Sequence, residues 1–183
     1  LVMNKNGVET LAGKPCILSS FSLSPDKKYM LQKQLQQPFS YLVTANGFPS
    51  KMIITDLSGN TVKLLVELPS TEGTPSGYDN TQNVPRAFDW RDDEAATITW
   101  AEPLDSGLIK KQVEFRDAVL ALSAPFTGSP KTLFKTKLRY AGTTWGNENI
   151  ALVNEISRSK QLGRVSLYNS KKESLELLYE RNQ

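Results

Sequence analysis

Ser22-Leu23-Ser24-Pro25-Asp26-Lys27-Lys28-Tyr29-Met30-Leu31 sets a polar turn between two strand-like segments, and the chain carries this pattern three times. The second copy is Phe88-Asp89-Trp90-Arg91-Asp92-Asp93-Glu94-Ala95-Ala96-Thr97-Ile98, and the third is Thr143-Thr144-Trp145-Gly146-Asn147-Glu148-Asn149-Ile150-Ala151-Leu152-Val153. Overlaid, Leu23, Trp90 and Trp145 coincide, and so do the turn acids Asp26, Asp93 and Glu148. Past the turn, Tyr29/Ala96/Ala151 and Leu31/Ile98/Val153 fall two residues apart, the spacing that places them on one face of a strand. Pro25 presets φ at the first central turn position, and Asp or Asn side chains bond backbone amides just ahead.

A second unit recurs four times: a strand, a polar turn opened by Asn or Asp, and another short strand. Its copies are Leu1–Leu11, Met52–Leu64, a longer-turned one from Val119–Ser123 to Thr132–Phe134, and Val165–Asn169 to Ser174–Leu178. Gly7 and Gly59 stand where hairpin turns need positive φ. With the first hairpin written a–b and the second c–d, the order reads c–d, then a–b–c–d three times. A repeating four-stranded antiparallel unit is what a propeller blade requires. The expected fold is all-β, a β-propeller fragment of about three and a half four-stranded antiparallel blades. It comprises a c–d hairpin over residues 1–12 and blades over 13–68, 84–137 and 138–180. Helical readings fail because the apolar period is two and turns punctuate the chain throughout.

Composition narrows function by what is missing. The 183 residues contain no histidine, which removes a Ser–His–Asp triad and any site built on histidine ligands. One cysteine, Cys16, forbids an internal disulfide and a thiolate-rich zinc site; its apolar run with Ile17 and Leu18 predicts a buried small hydrophobe. No phosphate-binding glycine loop or calcium loop appears. The net charge of +3 is spread along the chain without interleaved aromatics, so no nucleic-acid partner is expected. No apolar run reaches the roughly 18–20 residues of a membrane span. No metal, cofactor or catalytic residue is assigned to this chain.

In a propeller the a–b and c–d turns share one rim, and the b–c and d–a connections share the other. The long connections here are b–c (36–51 and 102–116) and d–a (69–84), so the elaborate loops gather on one rim, where binding residues tend to sit. Trp90, Trp100 and Trp145 are read as packing between blades, and Asp92-Asp93-Glu94 as a solvated turn.

The same residues carry a likeness to known proteins. Ser22–Leu31 resembles the blade repeat of propellers in prolyl oligopeptidase-like peptidases and TolB-like proteins. More specific are Pro38–Val43 with Phe48–Asp56, Arg86–Gly107 with Val113–Phe126, and Lys135–Val153. Together they resemble the propeller of the glutamyl endopeptidase branch of the prolyl oligopeptidase family of serine peptidases. That resemblance implies a non-catalytic N-terminal propeller gating peptide access to a C-terminal α/β-hydrolase domain. This chain has no G-x-S-x-G elbow, so no catalytic residue carries over. It further implies peptide as the substrate of the parent enzyme and, in a bacterium, a periplasmic or secreted location. A TolB-like scaffold that binds a protein partner through the same rim is the alternative.

Cleavage after glutamate would need a cation for that carboxylate, and arginine offers a bidentate one. Arg86, Lys110, Lys111 and Arg116 lie on or beside the long-loop rim, and Arg86 and Arg116 are the substrate-binding candidates. An exposed charge, or a pair such as Arg116 with Asp117, is the plain alternative. The opening hairpin lacks its a–b partner, so unpaired strand edges and an uncovered blade face are expected at the ends. The isolated chain should therefore self-associate; sedimentation of a monodisperse monomer at low concentration would contradict this.

Overall fold

The computed structural model describes residues 2–3, 6–7, 9–10 and 13–182. Strands dominate, and the only helical pieces among these residues are two 3-10 turns, Ala45–Gly47 and Thr71–Gly73. The chain divides into two compact units, Leu1–Gly73 and Thr74–Gln183.

In the first unit, β1 (Val2–Met3) pairs antiparallel with β2 (Glu9–Thr10). The expected hairpin at Leu1–Leu11 is thus present where it is described; Leu1, Asn4, Lys5, Val8 and Leu11 lie outside the described residues. β3 (Ile17–Leu23), β4 (Tyr29–Leu35), β5 (Ser50–Asp56) and β6 (Thr61–Leu68) form a four-stranded meander. Gly59 has φ +82° and Gly7 has φ +75°, as their hairpin turns demand. Asp56 closes the β5–β6 turn by accepting the Asn60 amide at 2.8 Å. The central strand β5 is buried on both faces through Met52, Ile53, Ile54 and Thr55. β3 is the contrary case: Ile17, Leu18, Phe21 and Leu23 are all exposed on this edge strand. Cys16 precedes it and is exposed too, which corrects the buried reading. The apolar run sits at the sheet margin, where one side of the backbone has no neighbouring strand in the sheet.

In the second unit, β7 (Arg86–Trp90), β8 (Thr97–Pro103), β9 (Asp117–Ser123) and β10 (Lys131–Thr136) form one antiparallel sheet. β11 (Arg139–Asn147), β12 (Ile150–Ser157), β13 (Leu162–Asn169) and β14 (Ser174–Asn182) form the next. Three four-stranded sheets and a two-stranded hairpin are the architecture of a partial β-propeller.

The three aligned turns differ in length. Leu23 pairs with Met30, Trp90 with Ile98, and Trp145 with Ala151. Six residues (24–29), seven (91–97) and five (146–150) are enclosed in turn. Core positions nonetheless coincide: Leu31, Ile98 and Val153 are all buried. In the first copy Ser24 does the organising, its hydroxyl taking the Tyr29 amide at 3.0 Å and reaching Asp26 at 2.7 Å.

The two sheets of the second unit bury a shared core. Ala101, Val119 and Phe134 meet Tyr140, Ala151, Val153 and Tyr168. The Phe134 ring lies 4.8 Å from that of Tyr168 and 6.4 Å from that of Tyr140. Trp145 meets Tyr168 edge-on at 6.3 Å, while Arg91 from the preceding sheet lies 3.8 Å over its ring. Trp100 stacks on Phe88 and Trp90 packs on Phe126, so aromatic area is used for packing within and between sheets. Phe134→Ala should lower the unfolding free energy of this unit by about 3–5 kcal/mol. A urea titration followed by tryptophan fluorescence measures it, and an unchanged midpoint would contradict this account of the core.

Candidate functional site

The loops of the second unit converge on one rim. The connection into β7 (74–85), the β8–β9 loop (104–116), the β10–β11 junction (137–138) and the β12–β13 turn (158–161) all meet there. Close packing of the two long loops requires Gly107. Its φ is +79°, and a Cβ there would lie 2.1 Å from the Thr81 carbonyl oxygen. The Thr81 amide donates to the Gly107 carbonyl at 3.0 Å, and the Ile109 amide to Asn80 Oδ1 at 2.9 Å.

Under these loops lies a cluster of buried ions. Asp105 and Asp117 have fully buried side chains, which their environment must neutralise. Arg139, the first residue of β11, bridges both: Nη1 and Nη2 donate to Asp105 at 2.9 and 2.7 Å, and Nη1 to Asp117 at 3.2 Å. Arg86 donates to Asp117 at 2.5 Å, and Arg116 to Asp105 at 3.0 Å. The Tyr140 amide adds a bond to Asp117 at 2.7 Å. The structure thus gathers both sequence-nominated arginines into one network. It rules out the Arg116–Asp117 pair, because Arg116 bends back to Asp105 and to the Lys111 carbonyl at 2.6 Å. Three guanidinium groups face two carboxylates, leaving one surplus positive charge. Arg86 Nη1 is buried with no hydrogen-bond partner among the described residues.

Asp79 fastens the long loop to the neighbouring turn. Its carboxylate accepts from Ser157 Oγ at 2.8 Å, the Arg158 amide at 2.7 Å, and the Ser159 amide and hydroxyl at 3.0 and 2.5 Å. Its carbonyl accepts Arg139 Nε at 2.7 Å. Burial alone would raise its pKa, but the bonds from Ser159, Arg158 and Ser157 together outweigh it and hold the carboxyl below the ordinary carboxylate range.

Between these elements opens a cleft of about 380 Å³, lined by Asp79, Arg116, Lys137, Arg139, Ser157 and Lys160 among others. All the Asp79 and Arg139 contacts above serve the framework. Lys137 and Lys160 are exposed and, with Arg116, present cations to the cleft. Lys111 donates to Ser106 at 3.0 Å and Lys110 is exposed. The acidic turn is not simply solvated. Asp92 is exposed, but Asp93 is bound at 3.0 and 2.7 Å by Arg91, which also holds Glu94 at 2.9 Å.

A stretch of β-propeller with a basic, ion-stapled rim is the class defined by this fold and site. Two plant proteins are similar in sequence, each named as a probable chloroplastic glutamyl endopeptidase. The one from Oryza sativa subsp. japonica is 37% identical over 145 residues, 78% of this chain. The one from Arabidopsis thaliana is 36% identical over 152 residues, 82% of this chain. The chain is similar to a segment of these proteins and spans 16% of the length of each of them. No protein-family model matches the chain. Among solved structures, an oligogalacturonate lyase in complex with manganese superposes with a TM-score of 0.55. It shares 8% sequence identity, covering 92% of this chain and 43% of that one, and the likeness is one of fold. No helix among the described residues is long and apolar enough to cross a membrane.

The depressed folded pKa of Asp79 gives its stabilisation a definite direction with pH. The contribution is full above the unfolded carboxyl value of about 3.9 and is lost as pH falls through the lower folded value. Asp79→Asn should therefore destabilise the second unit at neutral pH and flatten its acid-unfolding profile below about pH 4. Thermal melts of both proteins between pH 7 and pH 3 test this; parallel profiles would contradict it.

Proposed function

We propose that this chain is the non-catalytic propeller part of a prolyl oligopeptidase-like serine peptidase of the glutamyl endopeptidase type. In this reading the blades restrict access of peptides to a C-terminal α/β-hydrolase domain, and the long-loop rim faces that domain. The observation that carries it is the 36–37% identity to the two plant proteins named probable glutamyl endopeptidase. The site supports it chemically. The rim holds a surplus guanidinium and a cleft bordered by Arg116, Lys137 and Lys160, which suits the acidic side chains of a peptide. In this reading the nucleophile and its histidine base belong to the hydrolase domain, consistent with a chain that has no histidine.

Arg116 is the specificity candidate that borders the cleft, whereas Arg86 is tied to Asp117 beneath it. In the whole enzyme, Arg116→Ala should lower kcat/KM for peptides with glutamate at the cleaved bond by about tenfold, chiefly through KM. Unchanged kinetics would remove Arg116 from recognition. The open reading frame downstream of Gln183 tests the larger claim: a G-x-S-x-G elbow followed by Asp and His supports it. A stop codon or a further binding module there overturns it in favour of a scaffold.

A further inference from the structure

Away from the basic cleft, a second pocket of about 210 Å³ opens between β7 and β11. Each of these strands ends its sheet, so one backbone edge of each has no strand partner. Each is also bulged at the pocket. The β7 ladder breaks between Arg86 and Asp89, with Ala87 at φ +55°, and the β11 ladder breaks between Tyr140 and Gly142. Bulges re-aim side chains, and here they bring Phe88, Asp89, Tyr140, Thr143 and Trp145 around one space.

The chemistry of that wall is specific. Asp89 supplies a carboxylate whose hydrogen bond is to the adjacent Trp90 amide, at 2.9 Å. The protein packed around part of it pushes its carboxyl above the usual range, the Trp90 amide opposes this, and Asp92 raises it further, while the residue keeps solvent contact. The neighbouring cations have acidic partners of their own: Arg86 Nη2 bonds Asp117, and Arg91 bonds Asp93 and Glu94 while covering one face of the Trp145 ring. What remains is a solvent-accessible carboxylate beside aromatic rings, with the Tyr140 and Thr143 hydroxyls paired at 2.9 Å. Such a wall attracts a cation by charge and by the ring quadrupoles together.

We propose that this pocket binds an ammonium or guanidinium group, carried as a basic side chain by a peptide lying along the β7 and β11 edges. The pocket volume suits one side chain rather than a drug-sized ligand, and the unpaired strand edges can hydrogen-bond an extended backbone. This site is separate from the rim cleft and does not depend on the peptidase reading.

The test titrates the purified protein with acetyl-Gly-Lys-Gly-amide and its Arg counterpart, followed by tryptophan fluorescence. The comparator is the same peptide with its lysine acetylated. A saturable signal with a basic peptide is expected, weakened at least ~10-fold by acetylation and to a similar extent by Asp89→Asn. The asparagine oxygen can still accept the Trp90 amide, and an unchanged melting temperature verifies that the variant is folded. If it does not fold, the acetylated peptide on the unaltered protein decides alone. Equal affinity for the acetylated peptide, or no saturation by either basic peptide, overturns the proposal.

Discussion

Two carboxylates without solvent contact, Asp105 and Asp117, dictate the arrangement of the second unit. An isolated buried carboxylate costs several kcal/mol, so each must be held by cations and amide donors at fixed distances. Arg139 meets that demand for both at once, and it is also the residue from which β11 starts. Asp105 lies in the β8–β9 loop and Asp117 opens β9, so this one guanidinium sets where the following sheet begins relative to the preceding one. Hydrophobic area supplies the attraction between the sheets, but it is not directional. The ion network gives their junction a single register.

Loop order on the rim follows from the same network. Arg139 Nε takes the Asp79 carbonyl, and the Asp79 carboxylate in turn takes the Ser157–Ser159 turn of the next blade. The twelve residues of the second unit that lead into β7 (74–85) are therefore tied down at their middle, beyond what their own turns could achieve. Binding loops work best when a rigid scaffold positions them. Here the scaffold's own buried charges do so, and the surplus guanidinium comes as a by-product of neutralising two acids with three arginines.

The fold was legible because its signal is local. Period-two alternation, Pro and Asp turns and glycines at positive-φ positions all lie within ten residues of one another, and three copies reinforce one another. The nominated arginines were found by position on the long-loop rim. Their partners were not, because Arg139–Asp105 and Arg86–Asp117 pair residues 34 and 31 positions apart, and no local pattern marks such a contact. Adjacency misled at Arg116, where the neighbouring Asp117 points to other cations. It misled again at Asp93, where a run of acids read as solvated while Arg91 waited two residues away. Cys16 failed for another reason: hydrophobic character does not say whether a strand is central or at the margin of its sheet.

Placed together, the rim network and the inner pocket give β7 a polarity along its length. Arg86 belongs to the basic rim and Asp89 to the acidic pocket, and the bulge at Ala87 separates them. On β11 the same order holds, with Arg139 at the rim and Tyr140 to Trp145 around the pocket. Three strand residues span at most about 10 Å. An extended peptide following these edges would therefore meet attraction for an acidic group at the rim and for a basic group about three residues further in. A uniformly charged surface would bind any counter-ion at any register. Two opposite charges at fixed spacing favour one register and one direction. Selection by charge order would then arise from one pair of strands.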